Sequence, residues 1–214
     1  MRYSMDDAVM ISRRLLLIGA CAAPLAACGK DLLGPPEPGP LYPVRPRFDA
    51  VAGAKVNWAL AILRPDLPGG LDTDRIALIQ ANGSMDYYAN ATYPDRLAPI
   101  VQQALLDAFE ASGRIDAVAP EQAALHADYN LVTEVKDFMA HYSQPDAPPS
   151  VTVGITAKLS TAHGRTIVSS FTATQTGAAS ANSAGAVTQA LQQALGTCVT
   201  QIVGWALNAS PPKR

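Results

Sequence analysis

Apolar side chains alternate with small or polar ones over several short stretches, and in two places they recur instead every three or four residues. Alternation with a period of two is typical of a strand with one buried face. Asn82-Gly83 is typical of a two-residue hairpin with a type I′ turn. The predicted strands cover residues 56–62, 75–81, 85–91, 115–118, 129–141, 151–159 and 166–175.

The two helical patterns each follow a group of strands. We expect the first helix to begin at Asp95 as N-cap, to carry Pro99 in its first turn and to stop at Ser112-Gly113. The second has apolar residues at helical spacing from Val187 to Trp205. These patterns predict an α+β fold: a mostly antiparallel sheet with two main helices packed on one face, in two similar ββα-like halves.

The N-terminus has a different pattern. Arg13 and Arg14 precede an apolar run over residues 15–27. A transmembrane helix needs roughly 20 apolar residues. This run is shorter and small residues close it, as in a signal peptide. We therefore predict a signal peptide over residues 1–27, with either Met1 or Met10 as its start.

Leu25-Ala26-Ala27-Cys28 has the order of a lipobox, an aliphatic residue and two small ones before a cysteine. The cysteine thiolate takes a diacylglyceryl group, and the freed amine is then acylated. A competing site ends at Cys21, but it leaves an apolar run of only a few residues. We predict lipidation of Cys28, because several acyl chains anchor a protein stably. Gly29 in place of aspartate favours the outer membrane over the inner one.

Three further segments follow Cys28. Residues 28–46 are rich in proline, which fixes φ and removes hydrogen-bond donors, so an extended tether is predicted there. Residues 47–209 carry the strand and helix patterns and form one domain. Residues 210–214 are a C-terminal tail.

Charge and cysteine content narrow the function classes. The net charge is −2, so neither nucleic acid nor an acidic surface is implied as a partner. Once Cys21 is removed and Cys28 is lipidated, Cys198 remains alone and no intrachain disulfide forms. Its position on the apolar face of the second helix predicts a small buried hydrophobe.

Catalytic and cofactor motifs are missing from the sequence: there is no P-loop, Gly-x-Ser-x-Gly or His-Glu-x-x-His pattern. His126, His141 and His163 share no ligand spacing, so no metal site is expected. We predict a protein that is not an enzyme and that binds no cofactor.

One group of residues beside the hairpin suggests a contact surface. Asp72, Asp74 and Arg75 cluster before the second strand, where a charged turn with a local ion pair is expected. Tyr87, Tyr88 and Tyr93 either pack on the sheet or form an interface, since tyrosine is favoured at interfaces. The candidate partner interface comprises Asp74, Arg75, Tyr87, Tyr88 and Tyr93.

From about Tyr42 to Leu207 the chain resembles the ABC-type transport auxiliary lipoprotein family, which includes accessory proteins of paraquat-inducible and Mce-type lipid transporters. The resemblance is carried by the segments Leu71-Asp72-Thr73-Asp74-Arg75-Ile76-Ala77, Asp86-Tyr87-Tyr88-Ala89-Asn90-Ala91, Asp95-Arg96, Val101-Gln102, Phe109-Glu110-Ala111-Ser112-Gly113-Arg114-Ile115, Ala127-Asp128-Tyr129 and Thr133-Glu134-Val135.

The resemblance implies an accessory, non-catalytic role at the periplasmic side of a bacterial membrane. The ABC permease and an Mce-domain substrate-binding protein would be separate partner chains, and the lipoprotein would dock on them during phospholipid movement. It also allows for homo-oligomers. Two other classes stay open: a stand-alone lipid-binding carrier with an apolar pocket between sheet and helices, and a periplasmic hydrolase.

Overall fold

The computed structural model describes residues 39–123, 126–163 and 166–209, all within the compact unit that begins at Gly39. The predicted signal peptide, Cys28 and the C-terminal tail lie outside the described residues. The elements in chain order are β1 (Ala59–Ile62), β2 (Arg75–Ile79), β3 (Met85–Thr92), α1 (Leu97–Ala111), β4 (Ala117–Pro120), β5 (Tyr129–His141), β6 (Ser150–Thr161), β7 (Ile167–Ala178) and α2 (Ala184–Asn208).

The described strands form one seven-stranded sheet around β5. Along one edge of β5 lies β6, antiparallel over its whole length, followed by β7, antiparallel to β6. The other edge of β5 is shared. β1 pairs in parallel with its start and β2 in parallel with its end. β4 then extends β1 in parallel, and β3 extends β2 as a hairpin.

The α+β class is confirmed, but two details of the prediction are not. The sheet is mixed, since three of its six strand pairings are parallel. The two halves also differ, because β5, β6 and β7 form a meander whereas β1 and β2 do not pair with each other. Alternation identifies residues in strands, but partner and direction depend on contacts between distant segments.

The start of α1 also differs from the prediction. The helix begins at Leu97, and its N-cap is Arg96, which makes no side-chain capping hydrogen bond. Asp95 instead accepts a hydrogen bond from the backbone N–H of Arg96 at 2.6 Å. Pro99 lies in the first turn and Gly113 has a φ of 61°, as expected for the start and stop of this helix.

The β2–β3 hairpin does not use a type I′ turn, which requires positive φ at two successive residues. Gly83 has a φ of 84°, but Asn82 has no positive φ. The N–H of Gly83 donates to the carbonyl of Gln80 at 2.8 Å. Asn82 accepts a hydrogen bond from the N–H of Ser84 at 2.9 Å. The loop is therefore one residue longer than predicted and ends in a left-handed glycine.

One core joins the sheet and both helices. α1 packs against β1 and β4, α2 packs against β6 and β7, and the helices contact each other. Cys198 is fully buried there, with its thiol 3.5 Å from the carbonyl of Val153. Burial raises the pKa of Cys198 to about 12, so the thiol is protonated and behaves as the predicted small hydrophobe. Among the described residues, neither helix is long and apolar enough to cross a membrane.

The described part of the predicted tether, residues 39–46, packs on the domain. Tyr42 donates its N–H to the carbonyl of Thr92 at 2.8 Å, and the N–H of Arg45 donates to the Gln192 side chain at 2.8 Å. The chain then crosses α2 at Gly196, where the carbonyl of Arg47 leaves no room for a Cβ atom. Without side-chain bulk at Gly196 the extended segment lies directly on the helix.

Candidate partner-binding site at the β2–β3 hairpin

The structure brings four of the five predicted interface residues to the surface of one hairpin. Asp74 and Arg75 are exposed at the start of β2, and Tyr87 and Tyr88 are half-buried in β3. Tyr93 is different: it is only 2% exposed. A partner could reach the first four residues but not Tyr93.

Tyr93 belongs to the core because the chain turns inward after β3. Its N–H donates to the carbonyl of Asp74 at 2.7 Å, and its ring meets that of Phe138 edge to face at 6.2 Å between centroids. Its hydroxyl is buried and has no hydrogen-bond partner among the described residues, and burial raises the pKa of Tyr93 well above its ordinary value. We therefore assign Tyr93 a packing role.

Tyr87 and Tyr88 point to opposite faces of β3, as successive strand residues do. The Arg75 guanidinium lies 3.9 Å from the centroid of the Tyr87 ring, and the Tyr87 hydroxyl donates to the carbonyl of Gly70 at 2.9 Å. A cation–π contact at an exposed site stabilises by about 0.5–1 kcal/mol. Met85, also on β3, is 42% exposed. We name Arg75, Met85 and Tyr87 the hairpin patch.

The Tyr88 side chain forms a hydrogen bond within the domain. Its hydroxyl lies 2.6 Å from that of Tyr142, which donates to the side chain of Asn182 at 2.5 Å. Burial, and secondly the hydrogen bond with Tyr142, raises the pKa of Tyr88. This chain of hydrogen bonds ties β3 to the segment before α2. Sequence reasoning missed Tyr142 and Asn182, because nothing local marks a contact across such separations.

The predicted charged turn is present, but its ion pair involves other residues. Asp72, rather than Asp74, accepts from Arg96 at 3.0 Å and lies 3.5 Å from Arg64. The Asp74 carboxylate accepts a hydrogen bond from the Thr73 hydroxyl at 3.3 Å. Arg75 belongs to none of the ion pairs among the described residues, so its charge is available to a partner.

Arg114 forms a second group of polar contacts, which was not predicted from the sequence. Arg114 is only 6% exposed. Its guanidinium donates to the carbonyls of Ala54 at 3.0 Å and Ala52 at 2.8 Å, and to the Asn208 side chain at 3.0 Å. Gly53 between the two alanines has a φ of 138° and no room for a Cβ beside the guanidinium. One side chain thus fastens the extended segment to both helix ends.

The comparison with protein families identifies the chain. The sequence model of the family described as ABC-type transport auxiliary lipoprotein component matches residues 43–203. The chain belongs to this family. It is a family of lipoproteins associated with ABC transport, which implies a membrane-anchored place in the cell envelope. A search of curated proteins returned no match.

Comparison with solved structures found the following similarities. Protein XCC0632 from Xanthomonas campestris is 29% identical, with a TM-score of 0.73 over 79% of this chain and 95% of that one. An uncharacterised protein is 12% identical, with a TM-score of 0.58 over 77% and 97%. The PelC dodecamer from Paraburkholderia phytofirmans is 16% identical, with a TM-score of 0.44 over 77% and 97%.

Several residues of the family-like segments have structural tasks in this auxiliary lipoprotein. Asp72 and Arg96, from two separate segments, form the ion pair beside the hairpin. Arg114, from a third, fastens the extended segment. Arg75 and Tyr87 differ from these, because they form an exposed contact that partly faces solvent.

One acid–base pair lies on the sheet face away from the helices. Nε2 of His141 is 3.5 Å from Oδ2 of Asp137. Desolvation raises the pKa of Asp137, and His141 opposes that rise. The nearby Ser150 hydroxyl is 3.4 Å from the backbone carbonyl of His141, so it is not directed at the imidazole. The described residues include no group of three or more His, Cys, Asp or Glu that could hold a metal ion.

The same outer face carries an open concavity of about 760 Å³. Its lining combines the exposed apolar side chains of Val132 and Ile167 with Lys158. His126 and His163, which are exposed, also line it. The space between the sheet and the helices is instead filled by buried side chains, among them Leu60, Leu105, Phe109, Leu131, Ile155, Leu191 and Leu195.

Proposed function

We propose that this protein is a lipid-anchored accessory subunit of an Mce-type ABC system that moves phospholipid between membranes. It acts by docking, without catalysis. The permease and the Mce-domain substrate-binding protein are its partners, and the hairpin patch is its docking surface. Cys28 carries the lipid on the periplasmic side, in the outer membrane.

The observation that carries this proposal is the position of the patch relative to the tether. Thr92 pairs with Arg75 on one side and with Leu41 on the other. Leu41, near the start of the described unit, is 62% exposed. The chain from the lipidated cysteine therefore joins the domain directly beside the patch.

Covalent geometry then limits how far the patch lies from the lipid. A chain spans at most roughly 3.5 Å per residue, so the segment from Cys28 to Gly39 reaches no farther than roughly 40 Å. The proposed docking surface is thus held near the membrane. This arrangement suits a subunit that docks on a transporter component close to the membrane that holds its lipid.

The filled space between the sheet and the helices also favours a docking protein over a lipid carrier. A carrier that shields an acyl chain needs an apolar cavity. In the described part of the chain, that space holds fully buried side chains such as Phe109, Leu131 and Ile155. A protein of this kind presents its surface to partners and offers no interior to a lipid.

The experiment that tests docking is recovery of partners with the lipidated protein from its own membranes. We expect the wild type to recover an Mce-domain protein or a permease, and Arg75→Glu and Tyr87→Ala each to lose most of that recovery. Arg47→Glu is the matched control, because Arg47 is exposed away from the hairpin. Recovery of neither partner by the wild type would sink the proposal.

The lipid site has its own test. Cys28→Ala should leave the membrane fraction and become soluble in the periplasm. Density-gradient separation of wild-type membranes should place the protein with the outer membrane. If the variant instead stays in membranes and Cys21 carries labelled palmitate, the assignment of the lipidated residue is wrong.

A second candidate function rests on the outer-face concavity. Its volume of about 760 Å³ lies within the range of small-molecule sites, and Lys158 could face an anionic headgroup. For a stand-alone lipid carrier, protein purified from cells lacking the transporter would contain bound phospholipid, and Ile167→Asp would remove it. Protein free of lipid under these conditions excludes the carrier.

A further inference from the structure

The concavity on the outer face of the sheet has a floor of short side chains. Ala61 of β1, Asn130 of β5 and Ser160 of β6 lie directly opposite one another across the three strands, and all three line the concavity. Leu60 and Ile62, on either side of Ala61, belong to the core. Because successive strand residues point to opposite faces, Ala61 points outward, and so do the two residues aligned with it.

Longer side chains surround this floor. Val132 and Lys158 face each other across β5 and β6. They lie two residues along from Asn130 and Ser160, which places them on the same face and roughly 7 Å away. Ile167 of β7 is paired with Ser160. Val132 is 38% exposed and Ile167 is 59% exposed, so the apolar walls stay open to the outside.

The floor carries hydrogen-bonding groups that lack partners. Ser160 is only 7% exposed, yet its hydroxyl makes no hydrogen bond to another described residue. The Asn130 amide beside it makes none either within the described part of the chain. Buried hydroxyls normally have a hydrogen-bond partner. Because this one lies in the lining of the concavity, the missing partner is a molecule that enters it.

A lysine supplies positive charge to the same space. Lys158 is exposed and belongs to none of the ion pairs among the described residues. Glu134 on β5 is held by Lys136 at 2.8 Å, and Lys158 acts on it only as a more distant charge. Glu121 also lines the concavity but is exposed, and it accepts a hydrogen bond from the Gln122 side chain at 3.3 Å. The Lys158 ammonium is therefore available to a ligand.

Two histidines complete the lining, and the backbone of one residue positions both. The N–H of Asp128 donates to the carbonyl of Ala59 at 2.9 Å, and the carbonyl of Asp128 accepts from the N–H of Ala162 at 2.9 Å. His126 lies two residues before Asp128, and His163 directly follows Ala162. Each imidazole offers an N–H donor, so both add to the donors around the floor.

Unpartnered donors, a cation and open apolar walls fit one class of ligand. Ligand sites combine apolar lining with a few polar groups that fix orientation, and a phosphate accepts several hydrogen bonds while pairing with lysine. We propose that the concavity binds a phospholipid head first: the phosphate contacts Ser160, Asn130 and Lys158, and the acyl chains leave along Val132 and Ile167. The membrane that holds this lipoprotein supplies such molecules.

This site differs from a carrier and from the hairpin patch. A carrier encloses the acyl chains, whereas here they remain outside. The concavity lies at the start of β5, and the hairpin adjoins the end of that strand. Phosphate binding therefore does not depend on the proposed docking. Lys158→Glu should recover transporter partners as well as the wild type does, so failure of this site and failure of docking are distinguishable.

The test uses the full lipidated chain in an uncharged detergent and three matched probes. These are dihexanoyl phosphatidylglycerol, its headgroup without chains (glycerophosphoglycerol) and its chains without phosphate (dihexanoylglycerol). Titrations followed by NMR should show phosphatidylglycerol binding at least tenfold more tightly than either other probe. The chain has three histidines, and the imidazole signals of His126 and His163 should shift. Those of His141, at the far end of β5, should not.

Variants assign the binding to the floor and its lysine. Lys158→Glu should weaken phosphatidylglycerol binding at least tenfold, and Ser160→Ala at least threefold. Lys136→Glu is the matched control, because Lys136 is exposed on β5 but does not line the concavity. It should bind as the wild type does. Circular dichroism checks folding, and Lys158→Gln replaces Lys158→Glu if that variant does not fold.

Four results would overturn the proposal. The first is a wild type that binds none of the probes. Equal binding of glycerophosphoglycerol would show a site for soluble phosphate esters, and equal binding of dihexanoylglycerol would show apolar adsorption. The last is phosphatidylglycerol binding that Lys158→Glu, or Lys158→Gln in its place, leaves unchanged.

Discussion

The two parts of this domain are stabilised in different ways. Up to β4, the strands are short and are connected by individual polar contacts, of which Arg114 and the Asp72–Arg96 pair are the clearest. From β5 onward, three strands of 12 or 13 residues pair along continuous ladders, and α2 covers them with an apolar face. Both parts share one core. The first part adds specific polar contacts to it, and the second adds long strand ladders.

The two parts also present different kinds of surface. The first part presents a patch with its own shape and charge at Arg75 and Tyr87, which suits one particular partner. The second presents a uniform, uncharged edge at β7, and the sheet places it on a different edge from the hairpin.

The largest effect should come from the packed part. Leu195 is fully buried in α2, and Leu195→Ala removes methyl groups that neighbouring side chains fill only partly. We expect a loss of about 2–5 kcal/mol in the free energy of unfolding, measured by urea denaturation. Gln193→Ala, two residues away and exposed, should change it by less than about 0.5 kcal/mol. Equal effects of the two variants would contradict the assigned packing.

Arg114→Met should rank next. The variant keeps a long side chain but leaves the carbonyls of Ala52 and Ala54 without their donor. We expect a loss of about 2 kcal/mol, because hydrogen bonds to a charged group are worth about 1.5–3 kcal/mol and water can reach this segment. Hydrogen exchange should quicken over residues 44–56 and remain slow in β6. Arg45→Met, at an exposed position, is the control and should alter neither.

Much of the packed part was predictable because its signals are local. The alternation from Val151 to Leu159 lies within β6, and the helical spacing from Val187 to Trp205 lies within α2. The first part was less predictable for the opposite reason. β1 and β2 are placed by parallel pairing with β5, far along the chain, and no local pattern encodes that partner.

The candidate site shows the same limit. The Asn82-Gly83 pair predicted a hairpin, which the structure contains, but the sequence did not show which of the nearby aromatic and charged side chains face outward. Tyr93 lies in the core because of its contact with Phe138, and Tyr88 is engaged by Tyr142. Both contacts depend on tertiary structure. The absence of charge from Thr166 to Pro212 is visible in the sequence, but only the structure shows that β7, within this stretch, pairs with β6 alone among the described strands.

A smaller effect should come from the ion pair in the first part. Asp72→Asn weakens the contacts with Arg96 and Arg64, which lie at a partly exposed site. We expect a loss of about 1 kcal/mol or less in 0.1 M salt, and less still at 1 M, because salt screens exposed pairs. Asp74→Asn, with no ion pair among the described contacts, should leave stability nearly unchanged. If Asp74→Asn costs more than Asp72→Asn, the pairing assigned here is wrong.

The smallest effect should be a gain in stability. It concerns Asp137, whose carboxyl group is the only one among the described residues with a raised pKa. Desolvation raises the pKa of Asp137 above its unfolded value, although His141 opposes the rise. Folding therefore favours the protonated carboxyl. That contribution is fully present below the unfolded pKa, about 3.9, and is lost as pH rises through the folded pKa.

At pH 7, well above the unfolded pKa, the raised pKa of Asp137 therefore lowers the stability of the folded state, and the neutral amide of Asp137→Asn removes that cost. We expect the urea midpoint of this variant to exceed that of the wild type at pH 7 by less than Asp72→Asn lowers it, and the gain to vanish by pH 3. His141→Gln is the informative companion, since it removes the group that opposes the rise and should lower stability at pH 7. A loss of stability in Asp137→Asn at pH 7 would show that the ionised pair stabilises this strand, and that the packed part also relies on a polar contact.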